Sequence, residues 1–470
     1  MAEPLHWWSA HDLVAAIRAR QVSCVEVMRA HLERIAEVNP RVNAIVTLLP
    51  EEEALRMARQ ADRAVASGGP LGALHGLPFA VKDLMDTAGM RTTYWSPIYA
   101  EHVPAADALL VERLRAAGAL VIGKTNTPEW GAGSHTFNPV FGPTLNPYDL
   151  TRTCGGSSGG AAVALATGMV PLADGSDLGG SLRNPAAFCS VVGLRPSPGR
   201  VPSGTIHDAF DPHPVLGPMA RSPRDAGLLL SVIAGPDRRS PIALDDDPAP
   251  FADVRARALS GLRVAWSATA DGLPVDPEIL AALARARERL AGAGAEVVDR
   301  EPDLSGADEV FETFRALGMV GALADEVDAR PHLVKETVRG NVAEGLALTP
   351  RRIARAAALR TALYRRTAAL LAEHDVLALP VTQVPPFDVR EEYPTRIAGV
   401  ALEGYIAWMR SCSRISATTL PAISVPAGFT DGGLPVGLQL VGAPRGERAL
   451  LEIAAAVADL LGAAARRPQL

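Results

Sequence analysis

Three residues of this chain have the types and the sequence context to carry out chemistry together. Lys82 follows the apolar run of residues 77–81, which predicts a buried strand with the lysine at its end. Ser157 and Ser181 each lie in a cluster rich in glycine. A serine hydroxyl needs a base within hydrogen-bond reach to act as a nucleophile at neutral pH. Because burial can lower the pKa of a lysine enough to make it that base, these residues predict a hydrolase that needs no histidine.

The two serines lie in glycine clusters that predict special backbone conformations. The first cluster, residues 155–160, reads GGSSGG, and the second, residues 175–183, reads GSDLGGSLR. Residues 161–170 between them are dominated by Ala, Val and Leu, and predict a short buried helix. Glycines permit positive φ angles and close approach of the backbone, which leaves N–H groups free to face a ligand. The clusters therefore predict loops that present the serines.

Other interpretations of these motifs lead to different proteins. A flexible linker is disfavoured because apolar segments adjoin the clusters directly, and the phosphate-binding pattern G-x-x-x-x-G-K-[ST] is absent. Residues 155–159 do match the G-x-S-x-G elbow of Ser-His-Asp hydrolases, so an esterase with Ser157 as its nucleophile stays open. An ion pair between Lys82 and Asp83 or Asp86, without a catalytic role, also stays open.

The composition is that of an ordinary globular protein and limits its partners. The 470 residues are 48% apolar and 21% charged, which is sufficient for a large core. The net charge of −6 offers no basic surface for nucleic acid or for a membrane. The N-terminus lacks the features of a signal peptide, and no apolar run reaches the roughly 18 residues of a membrane span. The four cysteines show no disulfide spacing, so we expect free thiols and a cytoplasmic location.

The elements that must position these residues alternate between helix and strand. Residues 1–68 predict a helical wrap, in which Ser23 and Glu26 form a capping box and Pro40 ends a helix at Asn39. Apolar strand segments then recur between amphipathic helices from residue 77 to residue 441. This alternation predicts an α/β fold with a sheet covered on both faces by helices.

A single change in composition divides the chain. Residues 237–253 are rich in Asp and Pro, which predicts a surface loop or the boundary of an insertion. Candidate site residues precede this stretch, and apolar sheet segments follow it. We therefore expect one domain over residues 1–470, with a variable or lid-like middle segment at about 237–375.

Several long motifs occur together in one order along the chain. They are AVKD around Lys82, GGSSGG, GSDLGGSLRNP, VGLRPSPGRVP at residues 192–202, and LPAISVPAGFTDGGLPVGLQLVG at residues 420–442. In these motifs the chain resembles the amidase signature family of Ser-cisSer-Lys amide hydrolases, from about Leu5 to the last motif. The resemblance implies the amidase-signature fold, an α/β architecture with a large, mixed, twisted sheet. It implies no metal and no organic cofactor.

The resemblance also implies roles for individual residues. Ser181 would be the nucleophile, Lys82 the ultimate base, and Ser157, preceded by a cis peptide bond, the serine that bridges them. Ser158 would support the bridging serine. An oxyanion hole would be formed by the backbone N–H groups of Leu178, Gly179, Gly180 and Ser181. Asp177 and Arg183 flank this loop, and we expect them to form a buried pair that holds its shape.

The substrate is much less defined by the sequence than the chemistry. Candidate pocket residues, each equally able to belong to the core, are Trp95, Trp130, Phe137 and Tyr405. Because no Arg or Lys obviously faces a carboxylate, we expect a small uncharged amide or a carbamate, aryl amides included, with ester hydrolysis as a side activity. A glutaminase-type component of a tRNA amidotransferase stays open as a second function. The oligomeric state also stays open, with a homodimer as one option.

Overall fold

A computed structural model describes residues 3–204 and 208–470 of the chain. The helices are α1 (Ala10–Arg18), α2 (Cys24–Val42), α3 (Glu51–Ser67), α4 (Leu109–Ala116), α5 (Gly159–Ala166), α6 (Arg183–Phe188), α7 (Pro223–Ile233), α8 (Pro277–Gly292), α9 (Ala307–Ala329), α10 (Glu336–Leu346), α11 (Pro350–Glu373), α12 (Arg410–Thr418) and α13 (Glu447–Leu461). The strands are β1 (Ile45–Leu48), β2 (Pro78–Lys82), β3 (Leu120–Thr125), β4 (Leu145–Asn146), β5 (Asp149–Thr153), β6 (Leu172–Asp177), β7 (Val192–Arg195), β8 (Val215–Ala220), β9 (Arg263–Trp266), β10 (Glu296–Asp299), β11 (Val376–Pro380), β12 (Arg396–Ile397), β13 (Val400–Ala401), β14 (Ala422–Phe429) and β15 (Pro435–Val441).

Eleven of these strands form one mixed sheet. Their order is β1-β3-β2-β6-β8-β7-β14-β15-β11-β9-β10. The strands β3, β2 and β6 run parallel at one end, and β11, β9 and β10 run parallel at the other. Antiparallel pairs connect the two groups through the middle of the sheet. The predicted α/β fold with a large mixed sheet is confirmed.

Helices cover both faces of the sheet, as the packing of β11 illustrates. Side chains alternate between the two faces along a strand. Val376 and Ala378 of β11 belong to the main apolar core, whereas Leu377 and Leu379 belong to a second cluster that includes residues of α9, α11 and α12. Helix α5 lies deep in the main core, and all eight of its residues are buried.

The parallel strands β2 and β6 bring the candidate site residues to one edge of the sheet. The two strands are direct neighbours, paired at Ala80 and Ala173. Because they are parallel, their carboxyl ends reach the same edge. Lys82 is the last residue of β2, and the second glycine cluster begins within β6. The first cluster leads directly into the N-terminus of α5.

The N-terminal segment differs in detail from the predicted helical wrap. The capping box of Ser23 and Glu26 is present, but α2 continues through Pro40 to Val42. A proline removes only its own N–H bond, and here that loss falls in the last turn, where the N–H of Asn43 still donates to the carbonyl of Asn39 at 2.8 Å. The segment also contains a strand, β1, which pairs antiparallel with β3 at the edge of the sheet.

The middle segment contributes to the sheet as well as to the surface. Residues 237–375 supply the strand β9, the edge strand β10 and the helices α8 to α11. In the two described stretches of the chain, no helix is both long and apolar enough to cross a membrane.

Candidate active site

Lys82 lies at the centre of a cluster of serine hydroxyls. Its Nζ donates to Ser157 Oγ at 2.7 Å, to Ser158 Oγ at 2.8 Å and to Ser176 Oγ at 2.9 Å. The backbone N–H of Lys82 donates to a carboxylate oxygen of Asp174 at 2.8 Å, which fixes the end of β2 against β6. The side chain of Lys82 is fully buried. The structure thus places the lysine in direct contact with one of the two predicted serines.

Burial sets the protonation state of this lysine. Loss of solvation lowers the pKa of Lys82 to about 7, although the carboxylates of Asp174 and Asp177 act in the opposite direction. A lysine with this pKa is partly neutral near pH 7 and can accept a proton. The cluster is therefore able to supply a base without a histidine.

The interpretation of Lys82 as an ion-pair partner of Asp83 or Asp86 is wrong. Asp83 lies 3.7 Å from a second buried lysine, Lys124, and Asp86 accepts a hydrogen bond from Tyr94. Thr93 also donates to Asp83, through its backbone N–H at 3.0 Å and its hydroxyl at 2.7 Å, so both carboxylates have partners other than Lys82. Lys82 therefore keeps its contacts with the serines.

The first glycine cluster is held in place by hydrogen bonds to its carbonyl groups. The peptide bond between Gly156 and Ser157 is cis. Ser134 Oγ donates to the carbonyl of Gly156 at 2.6 Å, and Asn184 Nδ2 donates to Ser134 Oγ at 2.8 Å. Ser158 N–H donates to the carbonyl of Ser181 at 3.1 Å, which ties the two clusters together. The two predicted serines are thereby fixed relative to each other.

The nucleophile loop folds around a fully buried carboxylate. Arg183 donates to both oxygens of Asp177, at 2.9 and 3.0 Å, and Arg195 donates to one of them at 3.2 Å. The two guanidinium groups hold the pKa of Asp177 well below its usual range despite its burial. The backbone N–H groups of Gly180 and Leu182 also donate to this carboxylate, at 2.9 and 3.1 Å. The loop is therefore curled around Asp177.

This curl selects which N–H groups of the loop can face a substrate. Gly180 N–H is occupied by Asp177, which removes it from the predicted oxyanion hole. The N–H groups of Leu178, Gly179 and Ser181 have no hydrogen-bond acceptor among the described residues. Gly180 must be glycine, because its φ is +123° and a Cβ there would lie 2.6 Å from Cys412 Cβ.

A cavity of about 740 Å³ opens beside these groups, within the usual size of a small-molecule site. Ser157, Ser176 and Ser181 line it together with Leu178 and Gly179. A large part of its lining comes from α9, in the middle segment of the chain, between Phe311 and Leu323. Apolar side chains dominate the lining, and they include Leu84, Trp130, Phe311, Phe314, Met319 and Met409.

Of the four aromatic residues predicted for the pocket, only Trp130 is among those that line this cavity. Trp95 is fully buried and packs against Phe141, with ring centroids 4.8 Å apart. Phe137 lies beneath Lys335 Nζ, and Tyr405 accepts a hydrogen bond from Asn341. These three side chains lie outside the lining.

The cavity lining includes two arginines that the sequence did not single out. Arg315 and Arg360 both line the cavity, as do Asp208 and Asp211. The Arg360 guanidinium lies 4.4 Å from the ring centroid of Phe314. Sequence spacing could not reveal this, because both arginines come from helices that the sequence placed in a variable segment.

Neither a histidine nor a metal cluster is found at this site in the part of the chain that the structure describes. The described lining residues include no histidine, and His207 lies outside the described residues. Within residues 3–204 and 208–470, no group of three or more His, Cys, Asp and Glu side chains is arranged to hold a metal ion. The partner of Ser157 is Lys82, which disfavours the elbow interpretation.

Sequence reasoning also missed residues around the two loops. Among them are Ser176, the third hydroxyl on Lys82, and the pair Arg195 and Asn184, which support the loops. Ser176 could have been found, because it lies in the quoted glycine cluster and alternates with Asp177 along β6. Arg195 and Asn184 carry no local signal of their role.

Comparison with known proteins gives consistent matches over nearly the whole chain. The family model described as Amidase matches residues 26–451. An acylamidase of Rhodococcus erythropolis is 35% identical, over 96% of this chain and 95% of that protein. One of the component chains of glutamyl-tRNA(Gln) amidotransferase from Carboxydothermus hydrogenoformans is 35% identical, over 96% of both chains. The crystal structure of a bacterial aryl acylamidase has a TM-score of 0.90 and 27% identity, over 99% of this chain and 100% of that one.

Proposed function

This chain belongs to the amidase family, and we propose that it hydrolyses a small or aryl amide through an acyl-enzyme on Ser181. As a member of that family it is a hydrolase of carbon–nitrogen bonds. The observation that carries the proposal is the fully buried Lys82, whose Nζ lies 2.7 Å from Ser157 Oγ. A lysine so placed supplies the base that a serine nucleophile requires.

The proposed first step moves one proton and forms one bond. Ser181 Oγ attacks the amide carbon, its proton passes to Ser157, and the proton of Ser157 passes to the neutral amine of Lys82. When the tetrahedral intermediate collapses, the carbon–nitrogen bond breaks and the proton returns to the leaving amine. Water then attacks the acyl-enzyme by the same route, which releases the acid and restores Ser181. Ser158 and Ser176 would hold Lys82 in place through both halves of the cycle.

The proposed oxyanion hole is formed by the N–H groups of Leu178, Gly179 and Ser181. These donors have no acceptor among the described residues and belong to a loop fixed by Asp177. Donors held in advance where negative charge develops stabilise the transition state by about 3 to 4 kcal/mol for one donor. This arrangement supports acyl transfer over other uses of the serine cluster.

Covalent labelling tests which serine is the nucleophile. Purified protein is treated with a fluorophosphonate, and the adduct is located by intact-mass spectrometry and peptide mapping. We expect one adduct on Ser181, lost in Ser181→Ala and slowed in Ser157→Ala, whereas the exposed control Ser67→Ala reacts like the wild type. An adduct on Ser157 would overturn the proposal and favour the elbow mechanism. Turnover of a panel of anilides, aliphatic amides, carbamates and esters then defines the substrate class.

The glutaminase function is a second candidate, because the tRNA amidotransferase component is as similar to this chain as the acylamidase is. Release of ammonia from glutamine separates the two functions. A free-standing amidase hydrolyses anilides or aliphatic amides as a single chain and prefers them to glutamine. A chain that releases ammonia from glutamine and leaves every simple amide intact would favour the amidotransferase function.

We extend the proposal to the organisation and location of the chain. Residues 1–470 would act as one amidase domain, since strands as far apart in the chain as β1 and β15 share one sheet. Four buried free cysteines support a cytoplasmic location, because thiols stay reduced there. A homodimer remains the oligomeric state to test by size-exclusion chromatography with light scattering.

A further inference from the structure

We propose that Gly318 and Gly321 of α9 leave room for a bulky apolar substituent of the amide, and that Gly318 sets the size limit of that substituent. The inference rests on the proposed function of Ser181. It adds a residue that determines specificity and a substrate class, namely amides with an aryl or branched apolar group.

Much of the cavity lining comes from α9, between Phe311 and Leu323. Phe311, Phe314, Gly318 and Ala322 follow one another at intervals of three or four residues, and all line the cavity. This spacing places them on one side of a helix. The face begins at the nucleophile loop, because a Cβ on Gly179 would lie 2.6 Å from the ring of Phe311.

Along this face the side chains become abruptly smaller. Phe311 adjoins the nucleophile loop, Phe314 follows it along the helix, and beyond them stand Gly318 and, beside it, Gly321. A Cβ added to either glycine would meet no atom within 4 Å. The cavity therefore widens at the two glycines, next to apolar side chains such as Met319 and Leu323.

Helix packing does not explain these glycines. Glycine is the poorest helix former apart from proline, so a glycine inside a helix needs a reason. Gly345 of α10 has one, because a Cβ there would lie 2.3 Å from the carbonyl oxygen of Ala316. Gly318 and Gly321 are exposed and have no such close contact. Because both line the cavity, a side chain at either position would take up space at its wall.

Gly318→Leu tests this inference, with Gly340→Leu as its matched control. Gly340 also lies inside a helix, also has no neighbour within 4 Å of a Cβ, and does not line the cavity. Each change replaces a helix glycine by leucine, so effects on folding are matched. For Gly318→Leu we expect the ratio of kcat/KM for a bulky anilide to that for a small aliphatic amide to fall by about tenfold or more. Gly318→Ala should produce an intermediate fall, and Gly340→Leu should keep the ratio of the wild type.

A second readout does not depend on amide turnover. Rates of labelling by a methyl fluorophosphonate and by one with a bulky aryl group are compared for the same variants. We expect Gly318→Leu to slow the aryl reagent selectively. Equal slowing of both reagents, or the same ratio in Gly318→Leu and Gly340→Leu, would overturn the inference while labelling of Ser181 still supported the proposed function. Failure of both reagents to label Ser181 in the wild type would instead overturn the proposed function.

Discussion

The pH dependence of acylation follows directly from the burial of Lys82. With a pKa of about 7 instead of the ordinary 10.5, about half of the lysine is neutral at pH 7. The neutral fraction is about one tenth at pH 6 and about nine tenths at pH 8. Since only the neutral amine accepts a proton, kcat/KM should rise about tenfold from pH 6 to pH 8 and then level off.

Lys82→Met is the perturbation that isolates this base. Methionine has a similar length and no titratable group, and it leaves the three serine hydroxyls in place. Loss of a general base costs about 10² to 10⁴ in rate, so we expect kcat/KM to fall by that factor and its rise between pH 6 and pH 8 to disappear. Initial rates with an anilide, from pH 5.5 to pH 9.5 at constant ionic strength, measure both effects.

The same variant changes the pH dependence of folding stability. Below about pH 7 Lys82 is protonated in both the folded and the unfolded chain, so it does not make folding stability depend on pH. Between about pH 7 and pH 10.5 only the unfolded chain holds it, so stability rises with pH. The lowered pKa corresponds to a total rise of about 5 kcal/mol in the free energy of unfolding across that pH interval. In Lys82→Met the free energy of unfolding, measured by urea denaturation at pH 7, 8 and 9, should lack this rise.

Three results would refute the reasoning. A rate that keeps climbing tenfold per pH unit up to pH 9.5 would mean that the lysine titrates like an exposed one. An unchanged pH profile in Lys82→Met would mean that another group is the base. A stability slope equal to that of the wild type in the same variant would contradict the burial argument independently of catalysis.

Two further predictions concern the groups around the base and the nucleophile loop. Ser158→Ala removes a hydroxyl that accepts a hydrogen bond from the Lys82 ammonium, so the pKa of Lys82 should fall further and the rise of kcat/KM should move to lower pH; a shift to higher pH would contradict this. Arg183→Met leaves the buried Asp177 carboxylate without its bidentate partner and should cost about 3 to 5 kcal/mol in urea unfolding. The exposed control Arg255→Met should change stability by less than about 0.5 kcal/mol, and equal effects of the two changes would disprove a special role for the buried arginine.

The sequence was sufficient to predict the alternation of helices and strands and the residues inside the glycine motifs. Both signals are local: strand periodicity ends at Lys82, and the motifs enclose Ser157 and Ser181. The helix boundary at Pro40 was wrong because a proline in the last turn loses only one hydrogen bond. The strand β1 was missed because it has only four residues between two long helices.

The substrate cavity could not be predicted for a physical reason. An apolar side chain in a core and one in a cavity have the same periodicity, so the sequence could not separate Trp95, which is buried, from Trp130, which lines the cavity. Helix α9 packs on α10, α11 and α12 and also lines the cavity, so apolar residues occur around much of its surface. The specificity role proposed for Gly318 could therefore be recognised only once the structure showed that α9 lines the cavity.

The buried charges of the nucleophile loop have two effects: they set the shape of the loop, and they determine the charge that an oxyanion would meet there. Asp177 takes the N–H groups of Gly180 and Leu182 and thereby curls the loop. A lone buried carboxylate there would repel the oxyanion that the proposed mechanism forms nearby. Arg183 and Arg195 both pair with it, so the network of three charged groups carries a net positive charge. Such a field favours a developing negative charge, while the curl leaves the N–H groups of Leu178, Gly179 and Ser181 available for the oxyanion.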